Sequence, residues 1–258
     1  MKYILGLMLF ASGLAHATTC SIPVGAVDLG YTNQIFYDEP TLAEVSTSNT
    51  ATTSKWYTPA THVGFLSMQG SELAIALEGG MNSQAHGGKQ GALPYLSGAQ
   101  GFYIEFAMRL STNDADHFEG VYLETAEKTN GILDHLSTDP AGFQRWTEID
   151  ISESGYGPGS LASVIEWSGI APHFSSRAFN SWGHDAPLDF TKEHIYGVSY
   201  DPATNVLQWY IDNVPSWKTT PVGSVIKDFH YFVVIGAGSH GSHTPYDMFI
   251  RYVTAYTK

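Results

Sequence analysis

The sequence predicts an all-β protein, an antiparallel β-sandwich of jelly-roll type in which two sheets pack face to face. Three observations carry that expectation. Apolar and polar residues alternate with a period of two through several short runs, turn-forming Gly, Pro, Asn and Ser separate those runs, and no stretch shows sustained helical periodicity.

Taken in order, residues 1–17 read first as a cleavable secretory signal. They hold Lys2, an apolar run over 4–14 and the small-residue end Ala15-His16-Ala17. The mature chain is therefore expected to start near Thr18 and to be secreted or periplasmic. Lipidation of Cys20 is left open, because Thr19 is larger than the residue such signals usually place before the cysteine. No other run is apolar enough, for long enough, to span a bilayer. With one cysteine there is no intrachain disulfide, so stability must come from the core. Residues 18–258 show no linker, repeat or low-complexity tract and are expected to form a single β-jelly-roll domain.

The strands follow. Residues 101–110 (GFYIEFAMRL) alternate, with Ile104, Phe106 and Met108 on one side and Tyr103 and Glu105 on the other. Residues 194–200 and 206–212 form a hairpin across the turn Asp201-Pro202-Ala203-Thr204-Asn205. Further strands are expected at 118–123, 161–167, 230–235 and 248–256.

Composition narrows the partners. The balance of 12 Lys+Arg against 25 Asp+Glu gives a formal −13, which disfavours nucleic acid and anionic membrane and argues mildly against sulfated or uronic polymers. Aromatic content is 13%, with six Trp and 15 Tyr, more than a core alone needs. Flat rings pack against the C–H face of a pyranose, although large β cores use them too.

The run with most chemistry is RWTEIDISESG, residues 145–155. In a regular strand Glu148 and Asp150 share a face and Glu153 points the other way. A β-bulge near Ile151 and Ser152 would add one residue and return Glu153 to the face of the other two. Grouping three acids on a half-buried strand costs free energy through repulsion and desolvation. Retaining glycosidases use such a grouping, with two carboxyls about 5 to 5.5 Å apart.

Glu148-Ile149-Asp150-Ile151-Ser152-Glu153 resembles the E-x-D-x-x-E signature of glycoside hydrolase family 16, in the form that contains the bulge. Looser resemblances flank it in family order: residues 101–110 before it, then 194–198, 207–213 and 248–256 after it. The resemblance implies a concanavalin A-like jelly roll with a concave cleft, cutting internal β-linkages of a polysaccharide with retention. By position Glu148 would be the nucleophile, Glu153 the acid and then base, and Asp150 the acid between them. Asp150 would orient Glu148 and help to raise the pKa of Glu153. A neutral β-1,3 or mixed-linkage glucan is the favoured substrate and a galactan such as agarose is next. Transglycosylation on the same site and a non-catalytic, lectin-like sandwich remain as alternatives.

Two departures from the family stand out. Relatives often place an aspartate in the closing strand that helps to bind structural calcium; here Arg251 stands there, which puts that cation in doubt, while Asp247 or Asp212 could serve a different one. No metal or other cofactor is otherwise expected. Where relatives often have a histidine, this chain has Ile165-Glu166-Trp167; Glu166 adds a fourth acid if it faces the cleft, and the favoured expectation is that it faces outward as a solvated charge.

Trp146, Trp167 and Trp182 are the candidate sugar platforms, with ordinary packing as the competing reading for each. Trp146 shares the parity of Glu148, Trp167 sits on an expected neighbouring strand, and Trp182 falls in the loop-like 180–184. Trp209 alternates with Leu207 and Ile211 and is expected in the core. The literal G-x-G-x-x-G of residues 236–241 lacks the following helix that a dinucleotide site requires. His240 and His243 have ligand spacing but no third ligand nearby, and Asn113-Asp114-Ala115-Asp116 lacks the glycine and distal glutamate of a calcium loop. No nucleophile elbow supports a serine hydrolase. The expected partner is a polysaccharide, with no nucleic acid and no membrane in the mature form, and the chain is expected to be a monomer. Loops 79–97 and 124–143 are expected to wall the cleft.

Overall fold

The computed structural model describes residues 26–258 apart from 28, 49, 86, 130–139, 155–159, 183–187 and 222–224. The signal-like segment, Cys20 and much of the 124–143 loop lie outside the described residues. No helix among those described is long and apolar enough to cross a membrane.

Strands dominate the fold. The first nine are β1 (Asn33–Asp38), β2 (Val45–Ser46), β3 (Trp56–Tyr57), β4 (Leu66–Gln69), β5 (Glu72–Ala76), β6 (Gly80–Asn82), β7 (Gln84–Ala85), β8 (Lys89–Gln90) and β9 (Leu96–Ser97). The longer ones follow: β10 (Phe102–Leu110), β11 (His117–Thr125), β12 (Phe143–Glu153), β13 (Leu161–Ile170), β14 (His173–Trp182), β15 (His194–Asp201), β16 (Val206–Ile211), β17 (Val214–Thr219), β18 (His230–Ser239) and β19 (Asp247–Thr257).

One sheet has the order β17-β16-β15-β10-β19-β5-β4, with β1 also on β19; the other runs β14-β13-β12-β11-β18-β6-β3-β2, with β9 also on β18. Pairing is antiparallel throughout both sheets except between β2 and β3. This is the two-sheet sandwich that the alternation predicts. Ile104 and Phe106 of β10 meet Val121 and Leu123 of β11, Ile149 of β12, and Val233 and Ile235 of β18 between the sheets. Each such side chain contributes roughly 1.5–3 kcal/mol by leaving water.

The expected strands are all present, and several run further than the pattern suggests. The 201–205 turn closes as expected, with Asp201 accepting from the Ala203 N–H at 3.1 Å and the Thr204 hydroxyl at 3.0 Å, and Asn205 at φ 54°. The face of β10 that carries Tyr103 and Glu105 is not open to water. Glu105 is 3% exposed and accepts from the hydroxyls of Tyr103 at 3.0 Å and Tyr252 at 2.9 Å. Burial raises its pKa above the ordinary carboxylate range, against those two hydrogen bonds.

Gly236 and Gly238 lie inside β18, between antiparallel β11 and β6, and the chain then passes to β19 in the other sheet. Residues 236–239 of the glycine motif are thus strand, without the βαβ setting of a nucleotide site. Asp114 folds its own loop, accepting from the N–H groups of Asp116 and His117 and from the His117 ring. Arg251 makes a two-pronged pair with Glu193, 2.7 and 2.6 Å, so the position at which the sequence resemblance would put a calcium ligand presents a guanidinium. Asp212 holds the Ile195 N–H and the His194 ring, and Asp247 accepts from Gln69.

Candidate active site

Strand β12 lies between β11 and β13 and carries the acids. Thr147 and Ile149 are fully buried and face the core, so Trp146, Glu148 and Asp150 face the opposite side. Against β11, Tyr122 pairs with Asp150 but Val121 pairs with Ser152, one residue further than regular pairing allows. Against β13, Ser163 pairs with Asp150 and Leu161 with Glu153, again one residue too many. The extra residue falls at Ile151 and Ser152, where the sequence calls for a bulge. Both turn inward: Ile151 is 3% exposed in the core, and the Ser152 hydroxyl donates to the buried carboxylate of Glu119. Glu153 thereby returns to the face of Glu148 and Asp150.

Three contacts hold this irregular backbone. The bulge takes the Asp150 carbonyl out of regular pairing, and the indole N–H of Trp209, from β16 of the other sheet, donates to it at 2.7 Å. Glu119 accepts from Ser152 and, at 2.7 Å, from Ser154, tying down both sides of Glu153. Ser163 donates to the Asp150 carboxyl itself. Trp209 is in the core as expected, at 1% exposure, but its contact with the site was not legible from alternation.

Asp150 is 5% exposed. Burial pushes its pKa up to about 7; the Ser163 hydrogen bond opposes the rise and the charge of Glu153 adds to it. The sign is opposite to that of a salt-bridged carboxylate. Folded protein holds this proton over about pH 4 to 7 and the unfolded chain does not, so Asp150 lowers stability progressively as pH rises through that window. Asp150→Asn is expected to gain thermal stability relative to wild type between pH 4 and 7. Melting temperatures of both proteins across that range check it; a constant difference would contradict the raised pKa.

Two side chains missed from the sequence share this face. Tyr122 sits opposite Asp150 and Glu124 opposite Glu148, while their neighbours Val121, Leu123 and Thr125 are buried inward. The Tyr122 pKa is pushed far above its ordinary value by burial, then by the charges of Glu148, Glu124, Asp150 and Glu153. Four carboxylates therefore surround one phenol. The alternation from Phe118 signals both residues, but reading the strand as 118–123 leaves Glu124 in a loop.

The aromatic candidates separate. Trp146 and Trp167 occupy paired positions and stack at 5.7 Å and 15°, with Phe174 edge-on to Trp146 at 4.6 Å. Trp182 is not in a loop: it ends β14 and pairs with Leu161, because β14 continues the sheet to 182; its side chain lies outside the described residues. Glu166 is neither a cleft acid nor a solvated charge. It pairs with Thr147, hence on the core-side face, is 12% exposed, and accepts from Arg177 of β14. His240 stacks on Phe118 at 4.7 Å and its Nε2 meets the Ser154 carbonyl at 3.3 Å, and His243 lies 3.7 Å from Glu78. Among the described residues no three His, Cys, Asp or Glu side chains group as a metal site.

No protein-family model matches the chain, and no curated protein does. Solved structures do match. A kappa-carrageenase from Zobellia galactanivorans superposes with a TM-score of 0.55 over 88% of this chain and 95% of that one, at 13% identity. A glycoside hydrolase family 16 endo-glucanase from Bacteroides ovatus gives 0.51 over 85% and 93%, also at 13% identity. The kappa-carrageenase of Pseudoalteromonas carrageenovora, solved with an oligosaccharide, gives 0.51 over 76% and 83% at 12% identity. At these identities the likeness is one of fold: the chain is a β-sandwich jelly roll of the kind these enzymes have.

Proposed function

We propose that the protein is an endo-acting retaining glycoside hydrolase of the family 16 type, exported to act on a polysaccharide. The observation that carries the reading is the bulge at Ile151 and Ser152, which sets Glu153 beside Glu148 and Asp150 on one open face. A strand with solubilising acids has no need of that irregularity, nor of the three contacts that hold it.

In this reading the Glu148 carboxylate attacks the anomeric carbon while Glu153 gives its proton to the departing glycosidic oxygen. The product is a glycosyl ester on Glu148 and a shortened chain. Glu153, now ionised, takes a proton from water, whose oxygen attacks the same carbon and frees Glu148. Two displacements restore the β configuration. Asp150, kept protonated by burial up to about pH 7, serves as a hydrogen-bond donor that orients the nucleophile. Trp146 and Trp167 supply the sugar platform. Trp146→Ala is expected to raise KM about tenfold with a smaller change in kcat, read from initial rates on the polysaccharide that is cut.

The favoured substrate is a β-1,3 or mixed-linkage glucan, then agarose. Transfer to a sugar acceptor in place of water is the alternative outcome of the same intermediate, and a glycan-binding sandwich without catalysis is the alternative of another class. The test is reducing-end release from a panel of these polysaccharides. Wild type should cut at least one, giving oligosaccharides; binding without any release would replace the hydrolase with the lectin-like reading.

A further inference from the structure

Alternation continues across the groove beside the acids. On β11 the outward residues are Phe118, Gly120, Tyr122 and Glu124, and on β18 they are Phe232, Val234, Gly236 and Gly238. Gly120 pairs with Gly236, and Gly236 pairs in turn with Gly80 of β6, so three glycines form one row across three adjacent strands. The row begins next to the proposed acid. Val121 pairs with Ser152, so Gly120 is level with Glu153.

Glycine weakens a strand interior by roughly 0.5–1 kcal/mol and needs a reason to be there. Gly238 has one: a Cβ would fall 2.4 Å from the Phe118 ring, which lies on it. Gly120 and Gly236 have none within the protein. Neither has a left-handed φ. A Cβ on Gly120 would come no nearer than 3.7 Å to any neighbour, and one on Gly236 no nearer than 3.5 Å, ordinary contact distances. Both face a groove of about 360 Å³, walled by Tyr122 and Phe118, with Asn82 and Val234 also lining it. The space above the two glycines is therefore open, and what a side chain would fill is ligand volume.

We infer that the Gly120–Gly236 pair is the floor of a binding subsite for an uncharged pyranose ring, laid flat between Tyr122 and Phe118 immediately beside Glu153. This rests on the reading of the groove as a polysaccharide-cutting site and adds the charge class of the sugar held there. Among the described lining residues Glu78 is the one carboxylate, His62 the one basic group and no Lys or Arg is present, and the Glu148 carboxylate lies on the same face, so a sulfate or carboxylate on this ring meets no fixed cation and is repelled. The flat, Cβ-free floor lets the C–H face of a ring approach the backbone closely. It also gives residues 236–238 of the apparent nucleotide fingerprint a physical purpose.

The test uses Gly120→Ala, Gly236→Ala and the double variant, each also in a Glu148→Gln background so that binding is read without cutting. The probes are hexasaccharides of β-1,3-glucan, of agarose and of a sulfated galactan. At least one neutral hexasaccharide should bind to the Glu148→Gln protein more tightly than the sulfated one. The double glycine variant should bind it tenfold or more weakly, with a melting temperature equal to or above that of its parent. Unchanged binding in the double variant, a fall in melting temperature, or preference for the sulfated probe would each overturn the inference. If the glycine variants lose binding but wild type releases no reducing ends, the subsite stands and the hydrolase reading falls.

Discussion

Glu148→Gln is expected to lower kcat on polysaccharide by about a thousandfold or more and Glu153→Gln by about 10²- to 10⁴-fold, each with no loss of thermal stability. A glutamine keeps shape and removes charge, so relief of repulsion among Glu148, Asp150, Glu153 and Glu124 should leave the melting temperature equal or higher. The two variants should fail differently. Without Glu148 there is no nucleophile, and no choice of leaving group restores the first step. Without Glu153 the loss is of proton transfer, typically about 10²- to 10⁴-fold. An aryl glycoside whose phenol leaves without protonation should then still form the ester on Glu148, and a burst of phenol followed by slow turnover should be seen. Rates on polysaccharide and on an aryl oligosaccharide separate the two roles; full activity in either variant would remove that residue from the mechanism.

The second large effect is expected far from solvent. Trp209→Phe removes the 2.7 Å hydrogen bond to the Asp150 carbonyl, leaves that buried carbonyl unpartnered and opens space beside Trp217, whose ring centre is 4.8 Å away. A buried unsatisfied acceptor costs about 1–3 kcal/mol, and the lost ring volume adds to it. The bulge should relax, and misplacement by an ångström can cost about a hundredfold in rate. Well below its melting temperature the variant should therefore lose kcat by about that factor while KM stays within a fewfold. If Trp209→Phe is destabilised but fully active, the bulge does not depend on this contact.

Much of this was legible from short patterns. The alternation of residues 101–110 and 206–212 gave strands, and the parity clash between Asp150 and Glu153 called for the bulge that the register contains. What escaped has a common cause: alternation assigns a face but not a partner. Glu119 reads as an ordinary inward position, and only the folded chain shows Ser152 and Ser154 meeting it. Trp209 reads as core, but its indole reaches the opposite sheet 59 residues away in sequence. Glu166 has the character of a surface charge until β14 brings Arg177 alongside. Trp182 was misplaced for a different reason, since Asn180, Ser181 and Gly183 look like loop while the strand is held by its pairing with β13.

The most direct test of the central claim is to trap the intermediate. Wild-type protein is incubated with a 2-deoxy-2-fluoro oligosaccharide bearing a dinitrophenyl leaving group, in the linkage of the polysaccharide it cuts, and the digested protein is weighed by mass spectrometry. The account predicts a single added fluoroglycosyl unit on the peptide that contains Glu148, assigned to that side chain by fragmentation and absent in Glu148→Gln. A label on another carboxylate, or none while inverted product accumulates, would contradict it.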